Sequence, residues 1–370
     1  MLTTLFLIIS YFAIGFYAIL IVELAMTWSK LRTATEKVES DKSISVIIVF
    51  RNEEKNLPGI ISLLKNQKNS VAGFEIILID DHSTDHSYDI ASSLVDPAGN
   101  IRLYRLDEDR RGKKSGIQLG IQHAQHPWIA TLDADVEVGP QWLQTLQKTS
   151  DADLHILPLI IKPDNTFPGD MQALEFLSLV GITATMCFVK LPVLCNGANL
   201  LFSKEIYEKT MSTRKDHDIA SGDDMFLMHE VKKTGKVRWL HDLNALAKTG
   251  PENNLRAFAG QRIRWAGKSK HYTDFTTKAL GILVFTVNLV LLTGAIASCF
   301  SDAFTTNFLL VLFTKTIVDF ILIERVSRWT NMRHLLKYYI IVSILYPIYV
   351  VAIALASMVI KPGWKGRRID

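Results

Sequence analysis

Cysteine is scarce in this chain. Cys187, Cys195 and Cys299 are the three among 370 residues, and none is spaced from another like a metal ligand. That count excludes a disulfide framework and a zinc ribbon, and it fits a reduced compartment. A surplus of one charge is also missing. Lys and Arg number 41 against 37 Asp and Glu, a net charge of +4, which gives no ground for a nucleic-acid partner. No internal repeat or low-complexity tract interrupts the sequence. No Lys or Arg precedes Lys30, and Glu23 is the one charge in residues 2–28. A cleaved signal peptide needs a basic segment ahead of a short apolar run, so residues 1–29 read instead as a retained transmembrane anchor. The basic residues that follow, Lys30, Arg32 and Lys37, place the amino terminus outside and the next domain in the cytoplasm.

Long hydrophobic runs are plentiful. Residues 279–300 are uncharged and long enough to span a bilayer. Residues 304–323 carry Lys315 and Asp319, one helical turn apart and so placed to pair; the other reading is an intramembrane polar site. Residues 338–360 contain Pro347, a candidate kink. The membrane region 279–360 therefore holds two to three spans. The charges conflict with three. The tail 361–370 and the loop carrying Arg325, Arg328, Arg333 and Lys337 are both basic, and the positive-inside rule wants both in the cytoplasm. Either one stretch is re-entrant or interfacial, or the rule fails here.

Residues 30–43 form a polar linker, and a domain over residues 44–250 lies between the apolar segments. Ser45-Val46-Ile47-Ile48-Val49 reads as a buried strand ending on Arg51-Asn52-Glu53-Glu54, and Leu57, Ile60, Ile61 and Leu64 follow at helical spacing. Residues 75–79 and 128–132 read as further strands, 101–106 as a short one, and 85–94 and 117–124 as helices. Alternating strands and helices with short connections predict an α/β fold with a mostly parallel sheet covered on both faces.

The strand over 128–132 runs into Asp133-Ala134-Asp135. Strand alternation would point both carboxylates to one side. Such a pair suits a hard divalent cation whose other positions are filled by substrate phosphates. The strand over 75–79 ends on Asp80 and Asp81. Two buried strands that stop on carboxylates indicate a nucleotide site at the carboxyl edge of the sheet. Residues 195–202 read as a tight turn feeding a strand. Ser221-Gly222-Asp223-Asp224 precedes an apolar-periodic segment, and an N-cap is the plain structural explanation of either aspartate. Residues 251–275 form an amphipathic interface segment holding Gln261-Arg262-Ile263-Arg264-Trp265. Arg supplies bidentate phosphate binding, and Trp a flat face for a sugar or headgroup.

In this order the motifs resemble the family 2 glycosyltransferases, membrane-bound enzymes of the GT-A (Rossmann-like) fold flanked by transmembrane helices. The resemblance covers residues 44–272. Gln261 to Trp265 is similar to the Q-x-x-R-W element of ceramide glucosyltransferases and of cellulose, chitin and hyaluronan synthases. The resemblance implies that Arg51, Glu53, Asp81, Lys113 and Asp133 bind a nucleotide-diphosphate sugar, with a UDP-sugar as the expected donor. It gives Asp135, with Asp133, the Mg²⁺ or Mn²⁺ on the diphosphate. Asp224, beside Asp223, becomes the catalytic base, and Gln261, Arg262, Arg264 and Trp265 serve the diphosphate and acceptor. Phe50 stands where proline is usual in the family, His82 and His86 where glycine is common, and Ser115-Gly116-Ile117-Gln118 where an alanine-leucine-asparagine run is usual. The implied activity is inverting, metal-dependent transfer of a sugar to a lipid or glycan acceptor by an integral membrane protein of the cell envelope with a cytoplasmic catalytic domain and no nucleic-acid partner. Alternatives are a processive polysaccharide synthase and a non-catalytic nucleotide-binding membrane protein. A nucleotidyltransferase would carry a Gly-rich basic loop where Arg51-Asn52-Glu53-Glu54 stands.

Overall fold

The computed structural model describes residues 2–31, 41–68, 72–95, 100–214, 222–360, 363–364 and 367–368. Ser221, most of the linker 30–43 and the side chains of the basic tail 361–370 lie outside the described residues. The chain divides into two compact units. One gathers Thr33–Lys162 and Cys187–Gly250, and the other gathers Met1–Arg32, Pro163–Met186 and Pro251–Arg368.

The first unit contains the strands β1 (Ile44–Phe50), β2 (Phe74–Asp80), β3 (Ile101–Arg105), β4 (Trp128–Asp133), β5 (Glu137–Val138), β6 (Leu154–Ile156), β7 (Leu159–Ile161), β8 (Asn199–Ser203), β9 (Val237–Trp239) and β10 (Ala247–Thr249). Its main sheet runs β3-β2-β1-β4-β8-β6-β9, and β5, β10 and β7 form a second, three-stranded sheet. Strands β1 to β4 pair in parallel, whereas β8 is antiparallel to both β4 and β6. Every residue of β1 is buried, which is why its sequence is a continuous Ile/Val run rather than an alternating one. Register sets the function of this sheet. Phe50 pairs with Asp80, and Val49 with both Ile79 and Asp133. Strands β1, β2 and β4 therefore deliver their following loops to one carboxyl edge.

The helix Gly112–His123 starts five residues before the expected 117–124 segment. Its first turn, Gly-Lys-Lys-Ser, is polar and gives no apolar periodicity to read. This helix lies close on β1. A Cβ on Gly116 would come within 2.5 Å of Val49 Cγ1, and one on Gly120 within 2.7 Å of Ile47 Cγ2. Both positions need glycine because the backbone approaches the sheet too closely for a side chain, and this contact fixes the height of Lys113 above the sheet edge.

The second unit is helical. Among the described residues five helices are long and apolar enough to cross a membrane: Thr4–Leu31, Phe167–Phe188, Phe275–Ala297, Asp302–Trp329 and Arg333–Val359. The sequence pattern had not marked Phe167–Phe188 as a long helix. Asp170, Gln172 and Glu175 interrupt its apolar run, and all three are buried. The N-terminal helix by contrast leaves Phe12 77% and Phe16 65% exposed, as a lipid-facing surface would. It packs along Asp302–Trp329 through Phe6–Phe304 and Trp28–Trp329 ring contacts. The Lys315–Asp319 pair forms, at 2.6 Å, and the Tyr17 hydroxyl donates to Asp319. The last helix continues through Pro347.

Two residues of the sheet unit allow its stability to be tested. Gly120→Val should destabilise it by about 1–3 kcal/mol through overpacking against Ile47, seen as a lower melting temperature in detergent. His155 is buried in β6 with Nε2 3.1 Å from the Ser150 carbonyl oxygen. Burial, with Lys42 nearby, pushes its pKa down to about 3 from 6.5. The folded state thus holds a neutral ring where the unfolded chain takes up a proton, so stability is lost as pH falls from about 6.5 toward 3. His155→Gln should flatten the melting-temperature profile across that window.

Candidate active site

The carboxyl edge of β1, β2 and β4 gathers most of the polar residues that the sequence marked. Arg51, after β1, is buried and donates from Nη1 to the carbonyl oxygens of Asp81 (2.8 Å) and His82 (2.6 Å), tying the β1 and β2 loops together. Asn52 and His82 both take positive φ, and Asn52 Oδ1 accepts from the Thr84 amide at 2.8 Å. The Glu53 amide donates to Ser87 Oγ, while Glu53 Oε2 accepts from Asn56. Asp80 is fully buried and paired with Arg105 at 2.7 Å. Asp81 is also fully buried, and its Oδ2 accepts from the Gly112 amide at 3.1 Å. Asp81 thus fixes the start of the helix that carries Lys113.

Lys113 is the hub. Its Nζ pairs with Asp133 Oδ1 and donates to the Gly197 carbonyl oxygen at 3.1 Å. The Gly197 amide in turn donates to Asp224 Oδ2 at 2.9 Å, and the Met225 amide to Asp224 Oδ1 at 2.8 Å. Burial works against the Lys113 charge, but Asp133, then Asp224 and Asp135, outweigh it and raise the pKa above the usual lysine value. Lys113, Asp133, Asp135 and Asp224 therefore share one electrostatic environment. Gly197 was read only as part of a tight turn. A Cβ there would sit 3.3 Å from Asp224 Cβ and 3.5 Å from Lys113 Nζ, so its backbone is a working part of the cluster. Nothing in a single sequence marks a carbonyl oxygen as a ligand.

The D-x-D pair differs from the strand-alternation expectation. β4 stops at Asp133, and residues 134–135 form a turn in which the Val136 amide reaches the Asp133 carbonyl oxygen at 3.4 Å. The turn, rather than pleat alternation, presents Asp135, whose exposed carboxylate accepts from Thr249 Oγ1 of β10 at 3.3 Å. Among the described residues no three His, Cys, Asp or Glu side chains gather into a preformed metal cage. The oxygen donors present fit a hard cation held by one or two carboxylates and completed by a ligand's phosphates.

Asp223 and Asp224 open the helix Asp223–Thr234, whose N-cap is Gly222 at φ 95°. Neither aspartate is the cap itself. They diverge in environment: Asp223 is buried against Arg214, which is nearly inaccessible, while Asp224 is half-buried at the Lys113 cluster. Arg214 escaped sequence reading because its partner is defined only in three dimensions.

Gln261 to Trp265 belong to the helical unit, on the helix Leu255–Lys268. Arg262, 4% exposed, directs Nη2 to Glu175 (2.5 Å), Nη1 to Gln261 Oε1 (2.6 Å) and Nε to the Tyr349 hydroxyl (3.1 Å). Its guanidinium lies 4.3 Å from the Trp265 ring centroid and 4.7 Å from that of Phe258. Burial works to lower its pKa, but Glu175 and Tyr349 hold it above the usual arginine value. Gln261 Nε2 donates to Glu252 at 2.7 Å. Every guanidinium nitrogen of Arg262 is thus engaged inside the unit, which suits a residue that fixes Gln261 and Trp265 in place.

Comparison with known proteins bears on the fold and the family. Residues 45–210 match the family described as Glycosyl transferase family 2. The chain is 30% identical over 116 residues to an undecaprenyl-phosphate 4-deoxy-4-formamido-L-arabinose transferase of Serratia proteamaculans, covering 31% of this chain and 36% of that protein. It is 35% identical over 100 residues to a 4,4'-diaponeurosporenoate glycosyltransferase of Staphylococcus haemolyticus, covering 27% and 26%. The matched segment spans little more than a third of the first relative and about a quarter of the second. A solved mannosyltransferase of Pyrobaculum calidifontis, in complex with GDP-Man and Mn²⁺, superposes over 97% of this chain and 99% of its own with a TM-score of 0.62 at 14% identity. That likeness is one of fold, the GT-A arrangement. Residues 45–210, with the carboxylate-lined edge they build, are the part of this chain that matches glycosyl transferase family 2.

Proposed function

We propose that the protein transfers a sugar from a nucleotide-diphosphate sugar to a lipid acceptor at a membrane surface. The observation that carries this reading is the convergence of Asp133, the Gly197 backbone and Asp224 on Lys113, with Asp81 bonded to the adjacent Gly112. Acidic groups from separate loops meet at one sheet edge, as a nucleotide-sugar site requires. The relatives' names both specify lipid acceptors, which favours transfer to a lipid over processive polymer synthesis. The residues also argue against a merely binding role, since Asp133, Asp135 and Asp224 all act on the Lys113 charge.

In this reading Glu53 and Asp81 bound the nucleoside end of the donor, with Arg51 holding their loops in place. Asp135, joined by Asp133, would hold Mg²⁺ or Mn²⁺, whose positive charge offsets that developing on the leaving diphosphate. Lys113 neutralises Asp133 until the donor enters, and then provides a positive charge beside the diphosphate. Asp224 takes the proton from an attacking hydroxyl, using lone pairs left after its bonds to Gly197 and Met225. Attack from the face opposite the leaving group inverts the anomeric centre, and no covalent sugar–enzyme bond is needed. Asp223, neutralised by Arg214, holds the helix start in register. The diphosphate and acceptor roles of Arg264 and Trp265 rest on the motif alone, while Arg262 serves as their positioning residue.

Asp224→Asn should lower transfer from UDP- or GDP-sugars to a polyprenyl phosphate or total lipid extract by about 10²–10⁴-fold. Donor binding, measured by calorimetry with Mn²⁺, should change little; near-normal turnover would remove Asp224 as base. For the helical unit, Glu175→Ala leaves Arg262 buried without its counter-charge and should cost about 3–5 kcal/mol. Tyr349→Phe deletes a single hydrogen bond and should cost about 0.5–1.5 kcal/mol. If Arg262 positions the motif, Tyr349→Phe raises the acceptor KM while the donor KM stays constant. Equal shifts in both would assign Arg262 a purely structural role.

A further inference from the structure

The last long helix, Tyr339–Val359, has the length and composition of a membrane span, yet its contacts do not follow the path of one. The neighbouring helices fix the direction of crossing. Leu2–Leu31 and Asp302–Trp329 run parallel: Phe6 meets Phe304, Tyr17 meets Asp319, Arg325 donates to the Ala25 carbonyl oxygen, and Trp28 meets Trp329. Phe275–Ala297 returns against Asp302–Trp329, with Gly294 against Phe308 and a turn closed by Thr305 Oγ1 on the Ser298 carbonyl oxygen at 3.1 Å. Leu31, Phe275 and Trp329 therefore mark one end of a three-helix bundle, the near end, and the turn containing Cys299 marks the far end.

A span that began at the near end with Tyr339 would reach the far turn by Met358, since 21 residues extend about 30 Å. The structure shows another course. The Tyr339 hydroxyl donates to the Thr316 carbonyl oxygen and its ring meets Phe320, about 14–20 Å short of Trp329 along that helix. Farther on, Tyr349 stacks on Phe258 and bonds Arg262. The Met358 carbonyl oxygen accepts from Lys270 at 3.3 Å, and Lys270 lies just before the near-end start of Phe275–Ala297. Both termini of the helix are in the near half. Its exposed side is a continuous apolar stripe, Ile340, Ile344, Ile348 and Leu355, each more than half exposed. Tyr339, Pro347 and Val351 are buried, Pro347 and Val351 along the edge of this stripe.

The geometry points to a helix that enters only the near half of the bundle, reaching its middle where Tyr346 meets Lys315, and returns to the near end at Met358, and not to a fourth crossing. Of the four terminal apolar helices among the described residues three then cross, and Ile360 lies at the same end as Leu31. This arrangement also removes the charge conflict in the sequence. The basic loop with Arg325, Arg328, Arg333 and Lys337 and the basic tail both fall on the near face, which the positive-inside rule assigns to the cytoplasm.

The test is labelling from one side of the membrane, and it does not depend on activity. In full-length protein with Cys187 and Cys195 replaced by Ser, native Cys299 reports the far end. With Cys299 also replaced, His334→Cys reports the near end and Ile360→Cys asks the question. A membrane-impermeant maleimide applied to intact cells and to inverted vesicles should label Ile360→Cys from the same side as His334→Cys and from the opposite side to Cys299. Labelling of Ile360→Cys with Cys299 would establish a fourth crossing and overturn the inference. A second measurement uses fusions at the carboxyl terminus. Green fluorescent protein there should fluoresce and alkaline phosphatase should be inactive, and the reverse pattern would equally overturn it.

Discussion

The Lys113 ammonium occupies the place where three elements of the nucleotide-type unit meet: the end of β4 through Asp133, the turn before β8 through the Gly197 carbonyl oxygen, and the helix Asp223–Thr234 through Asp224 on the Gly197 amide. Burying one cation is costly unless carboxylates surround it, and gathering several carboxylates is costly unless a cation sits among them. Each half of the cluster is tolerable only because the other is present. The surrounding fold serves this balance. Two glycines let the Lys113 helix lie on β1, and Asp81 holds its first amide.

The same logic appears in the helical unit with different chemistry. Arg262 is enclosed by Glu175, Tyr349, Gln261 and the faces of Phe258 and Trp265. Lys315 is enclosed by Asp319 and aromatic rings. In each case a buried cation joins helices that are distant in sequence, and the partner carboxylate comes from an apolar helix where an unpaired charge would not be tolerated. The cation–aromatic contacts add directionality that hydrophobic packing between apolar helices lacks.

The sequence made the sheet edge legible because its signals are local. Continuous Ile/Val/Leu runs that stop on carboxylates name both the strands and the residues at their ends, and β1, β2 and β4 lie where those runs predict. The Lys315–Asp319 pair was legible for the same reason, both residues lying on one helix turn. What stayed hidden depends on contacts between distant segments or on the backbone. Arg214 gives no hint of Asp223 until the chain folds. Glu175 reads as an interruption in an apolar stretch and not as the counter-charge of Arg262. Gly197 works through its amide and carbonyl, which every residue possesses. The start of the Gly112–His123 helix was missed because a turn given over to cationic function carries no hydrophobic period.

The helix Phe167–Phe188 has a consequence for how this protein can be divided. The chain passes between its two units at residues 32–33, 162–163, 186–187 and 250–251, and two of those passages enclose this apolar segment. Trimming the ends of the gene removes the terminal hydrophobic helices but leaves Phe167–Phe188 in the sequence between the two segments of the sheet unit, stripped of its helical partners. A water-soluble fragment therefore requires an internal excision with a bridging peptide. During synthesis β6 must likewise wait for β8 across this intervening apolar helix, so the main sheet closes only after Phe167–Phe188 has been made.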